Sequence, residues 1–243
     1  SSDYRDDVRI SDAILEQVAE AYRKIRNTFR YLLANLYDFD PRRDTADLAD
    51  CSELDQWAYA KLQALLQQVT EAYDACQFHD AFRAVYQFCV SDLSAFYLDA
   101  LKDRLYTEAA HGPKRRCAQT VLYAILTVLT RMLAPMLAVT TEEVWQLMRA
   151  ARLVDEPSVH LAPWPVLAPP KNREFAQRWE TFLALREVVM KALEEQRARQ
   201  VIRSPLEAQV TLVIRDAALR AVCEAHREAL AEAFVVSSLE VIA

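Results

Sequence analysis

Apolar residues in the first part of the chain fall into a helical rhythm. Val18, Tyr22, Ile25, Phe29, Leu32 and Leu36 recur at steps of four and three, which places them on one face of an α-helix. Ser11 stands before the pattern as an N-cap, and Asp12 sits at the positive helix end. Asp38, Asp40 and Pro41 close it. Ser52 opens a second helix over roughly 53–75. A third begins near Gln77, carries Phe82, Val85, Tyr86, Cys89, Leu93, Phe96, Tyr97 and Leu101 on its apolar side, and is expected to reach Tyr106. Gly112 and Pro113 give the strongest turn signal. The fourth helix, 114–132, is apolar on most sides and therefore expected at the centre. Pro135 interrupts it, and the Thr140 to Glu143 spacing predicts a capping box that starts a short helix through Met148.

The character changes after Ala151. Prolines 157, 163, 165, 169 and 170 cannot continue a helix, so 151–171 is expected to be an extended connection, pinned to the helices by Trp164. A further helix follows over 173–199. Alternation in 206–214 predicts a strand, 217–231 an amphipathic helix, and 234–242 a second strand. The predicted fold is mainly α: a helical bundle over 1–150, the Pro-rich connection, and a long helix with a small α/β subdomain over 172–243. The last strand meets the chain end, so the subdomain is expected to continue in a longer parent. The missing initiator Met points the same way.

Composition narrows the function. Hydrophobic residues make up 53% and charged residues 26% of 243, enough to bury a core. No stretch approaches the ~20 apolar residues that span a bilayer, and the polar, acidic start is no signal peptide. The five cysteines, at 51, 76, 89, 117 and 223, are odd in number and lack a CxxC pair, which fits a reducing cytoplasm. Cys76, Cys89 and Cys117 read as small core residues, and no metal site is expected. A single glycine, Gly112, excludes a phosphate-cradling loop, so ATP chemistry must lie elsewhere. No nucleophile elbow or acid/base pair points to catalysis. The net charge of −6 argues against a general nucleic-acid binder but leaves room for a local basic stripe.

One such stripe exists. Arg23, Arg26, Asn27 and Arg30 share a face of the first helix roughly opposite its apolar face, flanked by Lys24 and Tyr31, and no acid interrupts 21–35. Arginine forks fit phosphates, an asparagine can read a base edge, and a tyrosine can stack on a base. The same pattern also suits a plain solvated face. Lys102 and Arg104 beside Tyr106, with Lys114, Arg115 and Arg116 after the turn, form a second basic group that could equally complement helix ends. Arg197, Arg199 and Arg203 form a third. On these grounds alone the chain could bind nucleic acid or serve as a helical protein–protein scaffold.

Specific strings decide between these. YRKIRNTFRYLLANLYDFDP (22–41) closely resembles the first anticodon-domain helix of isoleucyl-tRNA synthetases. SDYRDDVRISDAILE (2–16) resembles the junction after their catalytic domain, and FYLDALKDRLYT (96–107) is similar to another segment of that family. APMLAVTTEEVWQLM (134–148) with VHLAPWP (159–165) resembles the end of the bundle and its exit. The resemblance covers most of 2–210 and weakens in the tail. Valyl-tRNA synthetases share the architecture and are the alternative.

The resemblance implies an anticodon-binding helical bundle whose parent ligates isoleucine to tRNA(Ile) with ATP and Mg, and whose catalytic and editing domains are not in this chain. It implies no cofactor here, with zinc in a C-terminal extension beyond it. The implied partners are tRNA(Ile) and the parent's own catalytic domain; a cytoplasmic monomer with no membrane contact is expected. Carried over as tRNA-binding candidates are Arg23, Arg26, Asn27, Arg30 and Tyr31, with Lys102 and Arg104 as further ones.

Overall fold

The computed structural model describes residues 10–168 and 173–243. Most of the segment read as a junction, 2–9, and the end of the connection, 169–171, lie outside the described residues. Contacts group the chain into two compact units: Ser1–Cys51 with Ala58–Pro170, and Ser52–Trp57 with Lys171–Ala243. The described residues are mainly helical, with one two-stranded sheet.

In the first unit, α1 spans Asp12–Ala34 and starts at the expected cap: the Ile14 amide donates to the Ser11 hydroxyl at 3.3 Å. Ile25, Thr28, Phe29 and Leu32 are buried, following the helical period. Val18, expected to belong to this stripe, is exposed, as are Ile14 and Leu15. The first turns of α1 therefore lie outside the core, which begins one turn after the half-buried Tyr22. The helix stops at Asn35, and the chain turns so that Leu36 and Phe39 are buried behind it.

The single long helix expected over 77–106 is not continuous. Phe78–Gln87 is α3 (α2 is Glu53–Asp74), followed by a π-helical stretch, Phe88–Tyr97, then the short α4, Leu98–Ala100, and α5, Lys102–Thr107. A π turn pairs i with i+5, so residues four and five apart share its inner face. Phe88, Cys89, Leu93, Phe96 and Tyr97 all become buried that way. Their spacing looks alike for α and π helices, which is why the sequence does not announce the wider turn. α6, Pro113–Leu133, is the central helix as expected, with Pro113 in its first turn. It packs against α1, α5 and α7, Ala138–Ala150.

The predicted capping box at Thr140 is not formed. α7 starts earlier, because the turn after Pro135 closes with the Leu137 amide on the Leu133 carbonyl at 2.7 Å. Thr140 is then inside the helix, and its hydroxyl meets the Tyr22 hydroxyl at 3.0 Å. Trp164 does hold the connection against the helices: its indole N–H donates to Thr70 at 3.0 Å, and its ring meets Tyr73 edge-on at 5.6 Å. Four of the cysteines are buried, but Cys76, expected in the core, is exposed.

A buried polar network fixes the end of α1 against the start of α6. Arg115 grips Asp38 with both terminal nitrogens, and also donates to the Leu105 and Ala110 carbonyls at 3.2 and 2.9 Å. Arg116 donates to the Asp38 carbonyl at 2.9 Å and to Gln119 at 2.7 Å, and lies 3.5 Å from Asp44. Gln119 completes the circuit by donating to Asp38 at 2.7 Å and to the Asn35 carbonyl at 2.9 Å.

In the second unit, α8, Arg173–Ala198, presents Trp179, Phe182, Val189 and Leu193 to the core. The helix expected over 217–231 is broken at His226 into α9, Ala217–Ala225, and α10, Arg227–Phe234. β1, Gln209–Val213, pairs parallel with β2, Ser238–Ile242, with Val210 opposite Leu239. The α9–α10 pair is the crossover that parallel strands need. Arg186 of α8 donates to the Ala233 carbonyl at 2.9 Å, and Trp179 stacks on Trp57 at 5.6 Å. His226 and Arg178 both meet Glu53, at 2.9 and 3.2 Å.

Among the described residues, positive φ is found at Cys76, Arg152, Gln200 and Val235. Each follows a helix, and the next amide bonds back five residues, as Val201 does to Gln196 at 3.0 Å. This is the turn that normally takes glycine, in a chain that has one.

Two outcomes are expected. Burial raises the Asp38 pKa, but hydrogen bonds from Arg115 and Gln119 outweigh it and hold the carboxylate below its usual range. A depressed folded value means stability that is present above the unfolded value of ~3.9 and lost as pH falls through the folded one. Asp38→Asn should cost about 3–5 kcal/mol near neutral pH, because it leaves the buried Arg115 guanidinium without its carboxylate, and should flatten the acid limb of stability. Urea melts across the acid range decide this; an unchanged acid limb counts against it. Gln200 is exposed, so Gln200→Gly loses no packing. It relieves ~1–2 kcal/mol of left-handed strain against ~0.5–1 kcal/mol of added unfolded entropy. A higher unfolding midpoint is expected, and a lower one would refute the account.

Candidate nucleic-acid interface

The exposed face of α1 is set by what its other face buries. With Ile25, Thr28, Phe29 and Leu32 inward, Arg23, Arg26, Asn27 and Arg30 point outward and are all exposed. Arg23 pairs with Glu20 one turn back, on the edge of this face. Arg26, Asn27 and Arg30 continue it without an acid. Lys24 lies to the side, donating to the Tyr86 hydroxyl at 3.2 Å.

Tyr31 belongs to the packing as much as to the surface. It is half-buried, and its hydroxyl donates to the Leu98 carbonyl at 3.2 Å. Burial, and then the neighbouring Tyr106, push its pKa upward, so the phenol stays protonated. Lys102 is exposed and held by Asp99 at 2.6 Å. The segment around Leu98–Ala100 thus gathers Tyr31, Lys102 and Tyr106 beside α1. Arg104 departs from this group. It is only 7% exposed, because the break at Leu101 turns α5 so that Arg104 and Leu105 face inward. Its guanidinium is not a surface phosphate contact.

Arg115 and Arg116, in the second basic group of the sequence, are likewise buried in the Asp38 network, while Lys114 stays exposed. Arg197, Arg199 and Arg203 are exposed on the second unit, with Arg197 near Glu194 at 3.5 Å. One basic group escapes sequence spacing altogether. Arg42, Arg149 and Arg152 line a shared depression on the first unit. Arg149 and Arg152 are three apart in sequence, but only the tertiary fold brings Arg42 to them. No cluster of three or more His, Cys, Asp or Glu suited to a metal ion occurs among the described residues. No described helix is long and apolar enough to cross a membrane.

Residues 55–212 match the family model described as the anticodon-binding domain of tRNA ligase. The chain belongs to this family. Isoleucine–tRNA ligases match it along most or all of its length. That of Desulforudis audaxviator is 47% identical over 100% of this chain and 26% of its own length. That of Natranaerobius thermophilus is 43% identical over 99% of this chain and 26% of its own. That of Moorella thermoacetica is 49% identical over 87% of this chain and 23% of its own. The chain therefore spans about a quarter of the length of these curated relatives. The family match covers α2 to most of β1, so this anticodon-binding domain includes residues of both units. The α1 face precedes the matched stretch and is covered by the longer relatives.

Removing the Tyr31 hydroxyl separates its packing role from any surface role. Tyr31→Phe keeps the ring and loses one part-buried hydrogen bond, so a cost of about 1 kcal/mol is expected. A denaturant melt measures it, and no loss would mean that the bond to Leu98 contributes nothing net.

Proposed function

We propose that this chain is the tRNA-recognition part of an isoleucine–tRNA ligase and holds the anticodon arm of tRNA(Ile) on the exposed face of α1. The observation that carries the reading is the acid-free run of Arg26, Asn27 and Arg30, with Arg23 at its edge, on a chain whose net charge is −6. A basic stripe on an acidic body confines a polyanion to one place. Arginines hold phosphates, and Asn27 is the side chain suited to a base edge, with its amide offering both donor and acceptor. Unpaired loop bases expose the edges such a group can read. The whole-length likeness to isoleucine–tRNA ligases supports the isoleucine assignment over the valine one.

In this reading the parent protein charges tRNA(Ile) with isoleucine using ATP and Mg in domains outside this chain. The chain itself contributes binding, not catalysis, and needs no cofactor. It works in the cytoplasm, as part of a monomer whose catalytic domain is its neighbour.

Fluorescence anisotropy with tRNA(Ile) and tRNA(Val), at low and near-physiological salt, tests the reading. Tighter binding to tRNA(Ile) is expected. Arg26→Ala with Arg30→Ala should weaken it by about tenfold or more. Preference for tRNA(Val) would transfer the assignment to the valine enzyme, and equal binding by the double variant would remove the α1 face from the site.

A further inference from the structure

The depression lined by Arg42, Arg149 and Arg152 measures about 570 Å³ and also contains Gln146 and Asp155. Its arginines arrive by separate routes. Arg42 sits in the loop after α1, where its amide donates to Asp40 at 3.0 Å. That loop is anchored by Asp38 and Asp44 in the buried network with Arg115 and Arg116. Arg149 is in the last turn of α7, and Arg152 is the left-handed residue that ends it. All three are exposed. Asp155 offsets one charge, accepting from Arg42 at 2.6 Å, and Arg149 donates to Gln146 at 3.0 Å. The lining remains cationic on a chain that is otherwise acidic.

Strain does not make the argument, since the ends of three other helices are also left-handed without glycine. Nor does the helix dipole, because the C-terminal end of α7 repels an anion. What remains is convergence. Three guanidiniums line one open hollow; each carries several N–H donors, of which Asp155 engages one nitrogen of Arg42 and Gln146 one of Arg149. An open hollow with separated arginines suits the backbone of a polyanion better than an isolated small anion, which is held best when enclosed.

We propose that this depression is a second, sequence-independent RNA contact that seats backbone phosphate while the α1 face reads the loop. The proposal rests on the tRNA-binding reading above and extends it. Backbone contacts position an RNA without reading it. Arg42, Arg149 and Arg152 would therefore set affinity and salt response but not anticodon preference.

The test measures binding of the chain to an anticodon stem-loop RNA of tRNA(Ile), and to the same RNA with a changed anticodon, across a range of salt. The combined variant Arg42→Gln, Arg149→Gln and Arg152→Gln should bind both RNAs more weakly by the same factor. Its slope of log affinity against log salt should be shallower by about two to three, since each of the three lost phosphate contacts removes roughly 0.7–0.9. Arg→Lys at the same positions should restore most of the slope, and unchanged thermal melts exclude unfolding. An unaltered slope in the Gln variant overturns the proposal, as does a loss confined to one anticodon. Inorganic phosphate supplies the other arm: if it displaces the RNA far below the chloride concentration that does so, the hollow is a small-anion site and the backbone assignment fails. The Asn27→Ala variant should lose anticodon preference and keep the response of the depression, which separates failure of either site. If the unaltered chain binds no RNA, both readings fall.

Discussion

The carboxylate of Asp38 is the point on which the first unit turns. It binds a guanidinium through both oxygens, accepts from the Gln119 amide, and its own carbonyl is used by Arg116. Arg115, at the start of the central helix, would otherwise be buried without this counter-charge, while Arg116 also has Asp44. An apolar replacement of the whole group could fill the same space at similar stability. It could not set direction as well, because each hydrogen bond here has one geometry. The network determines where α1 stops, where the following loop begins, and how α6 starts.

That constraint reaches the candidate interface from both sides. Upstream it fixes the last turns of α1, so the buried stripe of Ile25, Phe29 and Leu32 dictates the outward direction of Arg26, Asn27 and Arg30. Downstream it anchors the loop that carries Arg42. Arginines therefore have opposite fates within one unit. Arg115 and Arg116 are consumed by internal charge balance, while those on α1 keep their heads in solvent.

Much of this was legible in the sequence, for physical reasons. Ser11, Gly112 and Pro113 act locally, so their helix boundaries could be read directly. Helical spacing placed the α1 basic face, since a helix fixes opposite faces without reference to anything else. The misses share a cause: they are decided by tertiary partners. Val18 fits the apolar spacing, but no core reaches it. Thr140 has the capping spacing, but the turn at Leu137 starts the helix first. The π stretch has apolar spacing that serves either helix type, and the break it feeds buries Arg104. Arg149 and Arg152 are near neighbours in sequence, but their convergence with Arg42 has no local signature, because Arg42 comes from the other side of the central helix in sequence.

Ending helices without glycine means that every stop carries a side chain. At Arg152 that side chain is a cation; after α2 it is Cys76, an exposed thiol in a chain whose other four cysteines are buried. A thiol-reactive dye would accordingly report from one defined point, the corner between α2 and α3, with no residue changed. The scarcity of glycine thus leaves the molecule with a built-in attachment point for a spectroscopic probe, away from the arginines of α1 in sequence and on a turn held by the Gln77 to Ala72 hydrogen bond at 2.7 Å.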